Sequence, residues 1–169
     1  MSTLTIRPAL AADAPVLLAL IRGLAEFEQL AHEVVATEAQ LAAELAAPQP
    51  VVHALIAERA GRAVGFALYF FSFSTFLARQ GLYLEDLYVL PQERSGGVGR
   101  ALLVELARRA AARGCGRMEW SVLDWNTDAQ RFYRSLGARP MDGWTVWRLD
   151  RDAIAALGYD GGPTERSTS

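Results

Sequence analysis

Apolar and polar positions follow two periods along this chain, and each period predicts a different kind of element. Residues 4–7 alternate with a period of two, as in a short strand. From Asp13, the expected N-cap, to Phe27 the apolar residues recur at helical spacing, which predicts a first helix. Thr37 and Gln40 have the spacing of a capping box and predict the start of a second helix.

The remaining pattern predicts an α/β chain. Two β-rich runs, 51–58 and 63–73, flank a turn and predict a hairpin. The elements expected after it are a strand at 82–90, a helix at 98–113, a strand at 117–123, a helix at 127–136 and a strand at 143–149. This order indicates one mixed sheet flanked by helices. We expect a single domain over 1–157 and a flexible Gly/Ser/Thr-rich tail over 158–169.

The composition is that of a globular chain, because 51% of its 169 residues are apolar and 21% are charged. The chain has 17 basic residues, all arginine, and 19 acidic ones. The resulting net charge of −2 argues against a nucleic-acid partner. The longest apolar run, 63–71, is far shorter than the roughly 20 residues of a membrane span. The first residues lack a signal-peptide layout, so we expect a cytoplasmic protein with no membrane partner.

Few side chains suit a metal, and the charges are unevenly spread. The chain has one cysteine, Cys115, and two histidines, so we expect no disulfide framework and no metal site. Residues 23–57 hold five acids and no arginine, whereas residues 91–140 hold nine arginines against five acids. The first stretch suits a cationic ligand and the second an anionic one, although solvated helix faces would give the same pattern.

A glycine-rich turn is the strongest chemical signal in the chain. It has the sequence Arg94-Ser95-Gly96-Gly97-Val98-Gly99-Arg100, between an expected strand and an expected helix. Glycines let backbone N–H groups approach a ligand, and a helix N-terminus favours phosphate. The turn lacks the Gly-Lys-Ser/Thr of an ATP loop and the early position of a dinucleotide fingerprint. Glycines at this spacing are also typical of an ordinary tight connection.

With the apolar strand before it, this Arg-x-x-Gly-x-Gly turn resembles the acyl-CoA motif of the GCN5-related N-acetyltransferase (GNAT) superfamily. The chain more narrowly resembles the diamine (spermidine/spermine-type) acetyltransferases and their thialysine-preferring relatives. The segments that carry this are Ile6-Arg7-Pro8-Ala9, 20–28, Val64-Gly65-Phe66-Ala67, Tyr83-Leu84-Glu85-Asp86, Asp124-Trp125-Asn126 and 132–138. The resemblance covers 4–156 and implies the GNAT fold, a mixed and mostly antiparallel sheet with splayed central strands.

The resemblance implies acetyl-CoA as the co-substrate, bound in the gap between the splayed strands. The pantetheine amides would pair with the backbone at Leu87 and Val89, and the pyrophosphate would lie on the turn. Asn126 matches a family position that contacts the cofactor. The implied cofactor-binding residues are Leu87, Tyr88, Val89, Arg94, Ser95, Gly96, Gly97, Val98, Gly99, Arg100 and Asn126.

Two residues match catalytic positions of the family. Tyr133 would protonate the leaving thiolate, and its alternative role is to pack with Phe132 as an aromatic pair. An amine must lose a proton before it attacks a thioester. Glu85 would position the amine and take that proton through a water molecule; its alternative role is a structural ion pair. Strand alternation predicts Tyr83, Glu85 and Leu87 on one face of the strand and Leu84, Asp86 and Tyr88 on the other. We expect Asp86 to be structural.

The implied acceptor-binding residues are Phe27, Glu28, Glu85, Asp142, Gly143 and Trp144. Carboxylates and an aromatic face can bind an ammonium group. We therefore expect an acetyl-CoA-dependent N-acetyltransferase that acts on the primary amine of a small cationic acceptor, a polyamine or a thialysine/lysine-like amine.

Alternatives remain open for the acceptor, because the chain departs from these relatives on that side of the site. It has Phe76 where they commonly carry Trp, and its segment between Gly137 and Trp144 is shorter. An aminoglycoside or a peptide N-terminus is the alternative acceptor, and a catalytically silent acyl-CoA-binding domain is the alternative class. The family also implies a homodimer with C-terminal strands at its interface.

Overall fold

A computed structural model describes residues 3–159 of the chain. The described residues fall into two compact units, the first ending at Trp125 and the second beginning at Asn126. Most of the expected tail, residues 160–169, lies outside the described residues, whereas Gly158 and Tyr159 end a helix. The domain boundary at 157 stays a prediction.

The first unit contains a five-stranded sheet in the order β1-β2-β3-β4-β5. The first three strand pairs are antiparallel, and β4 pairs with β5 in parallel. This mixed, mostly antiparallel sheet with its helices confirms the expected fold class. Its elements are β1 (Leu4–Pro8), α1 (Ala14–Phe27), α2 (Glu38–Leu45), β2 (His53–Arg59), β3 (Arg62–Ser74), β4 (Arg79–Val89), α3 (Val98–Ala112) and β5 (Arg117–Glu119).

Local chemistry explains the two helix starts. Thr37 caps α2 as predicted: its hydroxyl accepts from the Gln40 N–H at 3.3 Å, and the Gln40 side chain accepts from the Thr37 N–H at 3.0 Å. Asp13 precedes α1 but its side chain makes no cap. Its carboxylate instead binds the Arg7 guanidinium through two contacts of 2.8 Å, because a bidentate ion pair is stronger than a single cap hydrogen bond.

Helices cover both faces of the sheet. Leu68 of β3 belongs to a core cluster with residues of α1, including Leu17 and Leu20. The next residue, Tyr69, points to the opposite face, since side chains alternate along a strand. Its hydroxyl lies 3.5 Å from Arg109 of α3 on that face.

A β-bulge in β4 changes which side chains share a face. Tyr69 of β3 is opposite Leu84, but Leu68 is opposite Asp86, so Glu85 is an extra residue in β4. Asp86 therefore faces α1 together with Tyr88, while Leu84 faces α3. The strict alternation expected from the sequence, with Leu84 and Asp86 on one face, is wrong because of this extra residue.

The last two strands of the sheet, β4 and β5, pair over a short stretch and then separate. β5 is shorter than the expected strand 117–123, and it pairs with residues 81–83 of β4. β4 continues to Val89 beyond this pairing. This geometry agrees with the splayed central strands of the expected fold.

The second unit contains α4 (Thr127–Ser135) and α5 (Arg151–Tyr159) among its described residues. The expected strand over 143–149 is wrong within the described residues, because residues 144–150 have no strand partner there. A segment rich in β-forming residues becomes a strand only when a neighbouring strand pairs with its backbone hydrogen-bonding groups. The sequence analysis missed α5, whose start is capped where Ala153 N–H donates to the Asp150 carboxylate at 2.8 Å.

Candidate active site

The glycine-rich turn has the backbone of an anion-binding loop. Ser95 and Gly97 adopt left-handed conformations, with φ of 64° and 78°. The first helical hydrogen bond of α3 runs from Ala101 N–H to Gly97 C=O at 2.9 Å. The N–H groups at 98–100 precede that bond and have no acceptor within the helix. This arrangement suits a phosphate, and it also requires glycine at 97 because other residues are strained at positive φ.

A neighbouring arginine braces the turn from the sheet. Arg59 of β2 lies 3.2 Å from the Glu93 carboxylate and 3.3 Å from the Gly96 carbonyl oxygen. Space is tight here, since a Cβ at Gly96 would lie 3.1 Å from the Glu93 carbonyl oxygen. The turn is therefore held in shape by charge and by close packing before any ligand binds.

The free edge of β4 exposes backbone groups at the residues that are expected to pair with pantetheine. Leu90 N–H donates to Val64 C=O of β3 at 2.9 Å. Backbone groups alternate between the two edges of a strand, so those of Tyr88 also point to β3, and those of Leu87 and Val89 point to the other edge. β5 does not reach this part of β4. Among the described residues, the outward backbone groups of Leu87 and the N–H of Val89 have no strand partner, whereas the Val89 carbonyl oxygen accepts from Arg94.

Arg94, the first residue of the turn, binds back onto the sheet and α1. Its Nε donates to the Val89 carbonyl oxygen at 3.1 Å. Its guanidinium carbon lies 4.5 Å from the ring centre of Phe27 and 5.6 Å from that of Tyr88. Gly23 lets the Tyr88 ring approach α1, because a Cβ there would lie 2.9 Å from its hydroxyl. The structure thus brings a predicted acceptor residue, Phe27, into contact with the predicted cofactor turn.

Three carboxylates lie near one another at the end of α1 and the bulge of β4. Burial, together with the nearby Glu85 and Glu28 carboxylates, raises the pKa of Asp86 to about 6. Burial also raises the pKa of Glu28, which caps the C-terminus of α1. Glu85 is exposed. Within residues 3–159 Asp86 has no ion-pair partner, so this acidic cluster is suited to a cationic ligand.

The second unit carries the other predicted side chains. Asn126 caps α4, where its side-chain oxygen accepts from Ala129 N–H at 3.2 Å. Tyr133 lies on α4, half-buried, with its ring centre 5.5 Å from that of Phe132. The catalytic role of Tyr133 and the cofactor contact of Asn126 stay predictions.

The predicted acceptor segment at 142–144 is a turn followed by an irregular stretch. Gly143 has a φ of 95°, a conformation that favours glycine. Trp144 is 83% exposed and Trp147 is 92% exposed. The acceptor role of Asp142, Gly143 and Trp144 stays a prediction.

Sequence reasoning missed two features of the first unit. Asp86 is expected from the sequence to be structural, yet it lies close to Glu85 and Glu28 in the acidic cluster. An acidic residue without a basic neighbour in an apolar strand was the available signal. The contact of Arg94 with Phe27 left no signal, since it joins residues that are distant in the chain.

Membrane-spanning helices and metal-ligand clusters are two further features that bear on function. No helix within 3–159 is long and apolar enough to cross a membrane. Over the same range, no group of three or more His, Cys, Asp or Glu side chains is arranged to hold a metal ion.

Comparison with known sequences identifies related enzymes. The profile of the acetyltransferase (GNAT) family matches residues 20–138. Thialysine N-epsilon-acetyltransferase from Mus musculus is 36% identical over 168 residues, which cover 93% of this chain and 98% of that protein. Spermidine/spermine N(1)-acetyltransferase-like protein 1 from Homo sapiens is 31% identical over 170 residues, which cover 95% of this chain and 24% of that protein.

Solved structures share the fold. An integron cassette protein from V. cholerae superposes with a TM-score of 0.77 at 25% identity, covering 94% of this chain and 98% of that one. An aminoglycoside N-acetyltransferase in complex with CoA superposes with a TM-score of 0.70 at 24% identity, covering 88% of this chain and 96% of that one. The second likeness concerns the fold alone.

Proposed function

The chain belongs to the GNAT acetyltransferase family, and from this premise we propose that it transfers an acetyl group from acetyl-CoA to the primary amine of a small cationic acceptor. One observation carries the proposal: the anion-binding turn, the free edge of β4 and the acidic cluster adjoin along one strand. A polyamine or a thialysine/lysine-like amine is the proposed acceptor class. Relatives named for both kinds of substrate support it.

Acetyl-CoA fits the residues of the first unit. The turn from Ser95 to Arg100 would hold the pyrophosphate through N–H groups and the positive end of the α3 dipole. Leu87 and Val89 would pair with the pantetheine amides through their outward backbone groups. Asn126 is proposed to contact the cofactor near α4. The turn and the outward edge of β4 would hold the thioester along the gap between β4 and β5.

The proposed chemistry needs two proton movements and one bond exchange. The amine nitrogen forms a bond to the acetyl carbon, and the bond from that carbon to sulfur breaks. Glu85, exposed at the bulge of β4, would receive the amine proton through a water molecule. The Tyr133 hydroxyl would donate its proton to the departing thiolate. Transfer is direct, so no side chain is acetylated.

The acidic cluster would bind the acceptor's distal ammonium group. Glu28 and Asp86 are partly withdrawn from solvent, so their charges are less screened than those of surface carboxylates. Asp142, Gly143 and Trp144 are proposed to close the acceptor side. A cation with two separated amines would neutralise the cluster while it presents one amine for reaction.

Steady-state kinetics with matched variants test this assignment. CoA thiol release would be followed with spermine, thialysine, lysine and an aminoglycoside as acceptors. Tyr133→Phe should lower kcat by about 10²–10⁴-fold with little change in KM, as expected for loss of a general acid. Glu28→Gln should instead raise the acceptor KM. Full activity of Tyr133→Phe at every pH would contradict the proposed acid.

A second copy of the chain is the proposed partner. The exposed segment 144–149 is rich in β-forming residues but has no strand neighbour within the described residues, which supports pairing with another molecule. Light scattering after gel filtration tests this. A Trp147→Glu variant should shift a dimer to a monomer, whereas a monomeric parent protein would contradict the proposal.

A further inference from the structure

Arg94 connects the two halves of the proposed reaction site. Its guanidinium lies on the ring of Phe27, the last residue of α1, at 4.5 Å. Its Nε is fixed by the Val89 carbonyl oxygen at 3.1 Å. Phe27 is itself supported by Trp125, whose ring centre is 5.7 Å away. Arg94 is therefore held in place by Phe27, a residue that the family resemblance assigns to acceptor binding.

We propose that Phe27, on the acceptor side, is a positioning residue that acts through Arg94 to set the affinity of the enzyme for acetyl-CoA. This inference rests on the proposed function, since it takes the turn to be the site of the cofactor's phosphates. Phe27 acts through Arg94, and Arg94 acts on the ligand. Phe27 is thus a support of the cofactor site as well as a wall of the acceptor site.

The physical reason is the ordering of an exposed side chain. An arginine that is free in solvent loses rotamer entropy when it binds a phosphate. In this structure the Arg94 Nε–H already donates to the Val89 carbonyl oxygen, and the guanidinium is stacked on Phe27. Most of the rotamer entropy is therefore lost before the ligand binds. The stack leaves the edge of the guanidinium open, and Nε is the Arg94 donor that is hydrogen-bonded within residues 3–159. The terminal nitrogens remain able to bind phosphate oxygens.

The stack also changes the role expected of Phe27. The ring face that Arg94 covers is closed to an acceptor ammonium group. A cationic acceptor would then bind the carboxylates, chiefly Glu28. Loss of the Phe27 ring should consequently affect the cofactor more than the amine.

Calorimetric titration of the full chain with acetyl-CoA tests the coupling. Phe27→Ala should raise the Kd by about two- to fivefold, the range of one exposed cation–π contact. Phe27→Tyr keeps a ring and should restore the parent value. Arg94→Ala should raise the Kd further, and the double variant Arg94→Ala with Phe27→Ala should match Arg94→Ala alone.

The chain offers a matched control in a second stack. The Arg113 guanidinium carbon lies 3.9 Å from the ring centre of Phe71, on β3 and away from the turn. Phe71→Ala removes the same kind of contact and should leave the acetyl-CoA Kd unchanged. At saturating acetyl-CoA, the amine KM of Phe27→Ala should change less than its cofactor Kd.

The outcomes separate this inference from the proposed function. If the parent protein binds no acetyl-CoA, the proposed function fails. If it binds but Phe27→Ala behaves like Phe71→Ala, or binds more tightly, the coupling is refuted while the cofactor assignment stands. Additive effects of the two substitutions in the double variant would also refute it. Unfolding curves of each variant would verify that every protein titrated is folded.

Discussion

Replacing Asp86 by asparagine should stabilise the fold at neutral pH. It should also reduce the further stabilisation that a bound cationic acceptor gives to the folded protein. Burial is the main reason that the pKa of Asp86 rises from 3.8 to about 6, and Glu85 and Glu28 add to the rise. A raised pKa means that the folded state prefers the protonated acid. The corresponding stability is complete below the unfolded pKa and is lost as the pH rises through the folded pKa.

The size of the effect follows from the two pKa values. Keeping Asp86 ionised in the fold at pH 8 costs about 3 kcal/mol relative to the unfolded chain. Asparagine carries no charge, so Asp86→Asn should raise the free energy of unfolding by up to about 3 kcal/mol at pH 8. At pH 5 the gain should fall to about 1.5 kcal/mol, and near pH 4 to about 0.5 kcal/mol.

Urea unfolding at pH 5, 6.5 and 8 measures this gain directly. Asp128→Asn is the control, because Asp128 is an exposed acid whose ion pair with Arg131 lies on the surface of α4. Its effect should stay within about 0.5 kcal/mol at each pH. At pH 8, spermine should raise the unfolding midpoint of the parent protein more than that of Asp86→Asn. A gain in Asp86→Asn that is the same at pH 5 and pH 8 would refute the reasoning.

Three smaller predictions concern the scaffold and its cofactor turn. Gly65→Ala should cost about 1–3 kcal/mol in urea unfolding, because its Cβ would lie 2.7 Å from the Tyr88 carbonyl oxygen; Gly158→Ala, with open space around it, is the control. Thr37→Ala should lower the free energy of unfolding by about 1 kcal/mol because it removes the α2 cap, whereas Thr37→Ser keeps the cap and should retain the parent stability. Gly97→Ala, at a φ of 78°, should weaken acetyl-CoA binding in the same calorimetric titration; unchanged affinity would argue against the turn as the phosphate site.

Local signals predicted most of the first unit. The capping box at Thr37 and the hairpin at 60–62 depend on neighbouring residues, and both are present in the structure. The glycine-rich turn was also recognisable, because its glycines and the helix after it are contiguous in the chain. These features need no knowledge of distant contacts.

The features that sequence analysis missed depend on partners elsewhere in the chain. The bulge at Glu85 exists only in the register with β3, so no local pattern reveals it. The strand expected at 143–149 needs a neighbour that the described residues do not supply. Asp13 has the sequence context of a helix cap, but its carboxylate binds the Arg7 guanidinium instead. The acidic cluster and the Arg94 stack are likewise products of tertiary packing.

The central claim is transfer of an acetyl group from acetyl-CoA to a small cationic amine. The most direct test is mass analysis of the products after incubation of the protein with acetyl-CoA and a mixture of spermine, spermidine, thialysine, lysine and an aminoglycoside. We expect one acetyl group on the nitrogen of a polyamine or of thialysine, together with free CoA in equal amount. Free CoA without an acetylated amine, or no reaction despite tight acetyl-CoA binding, would contradict the claim.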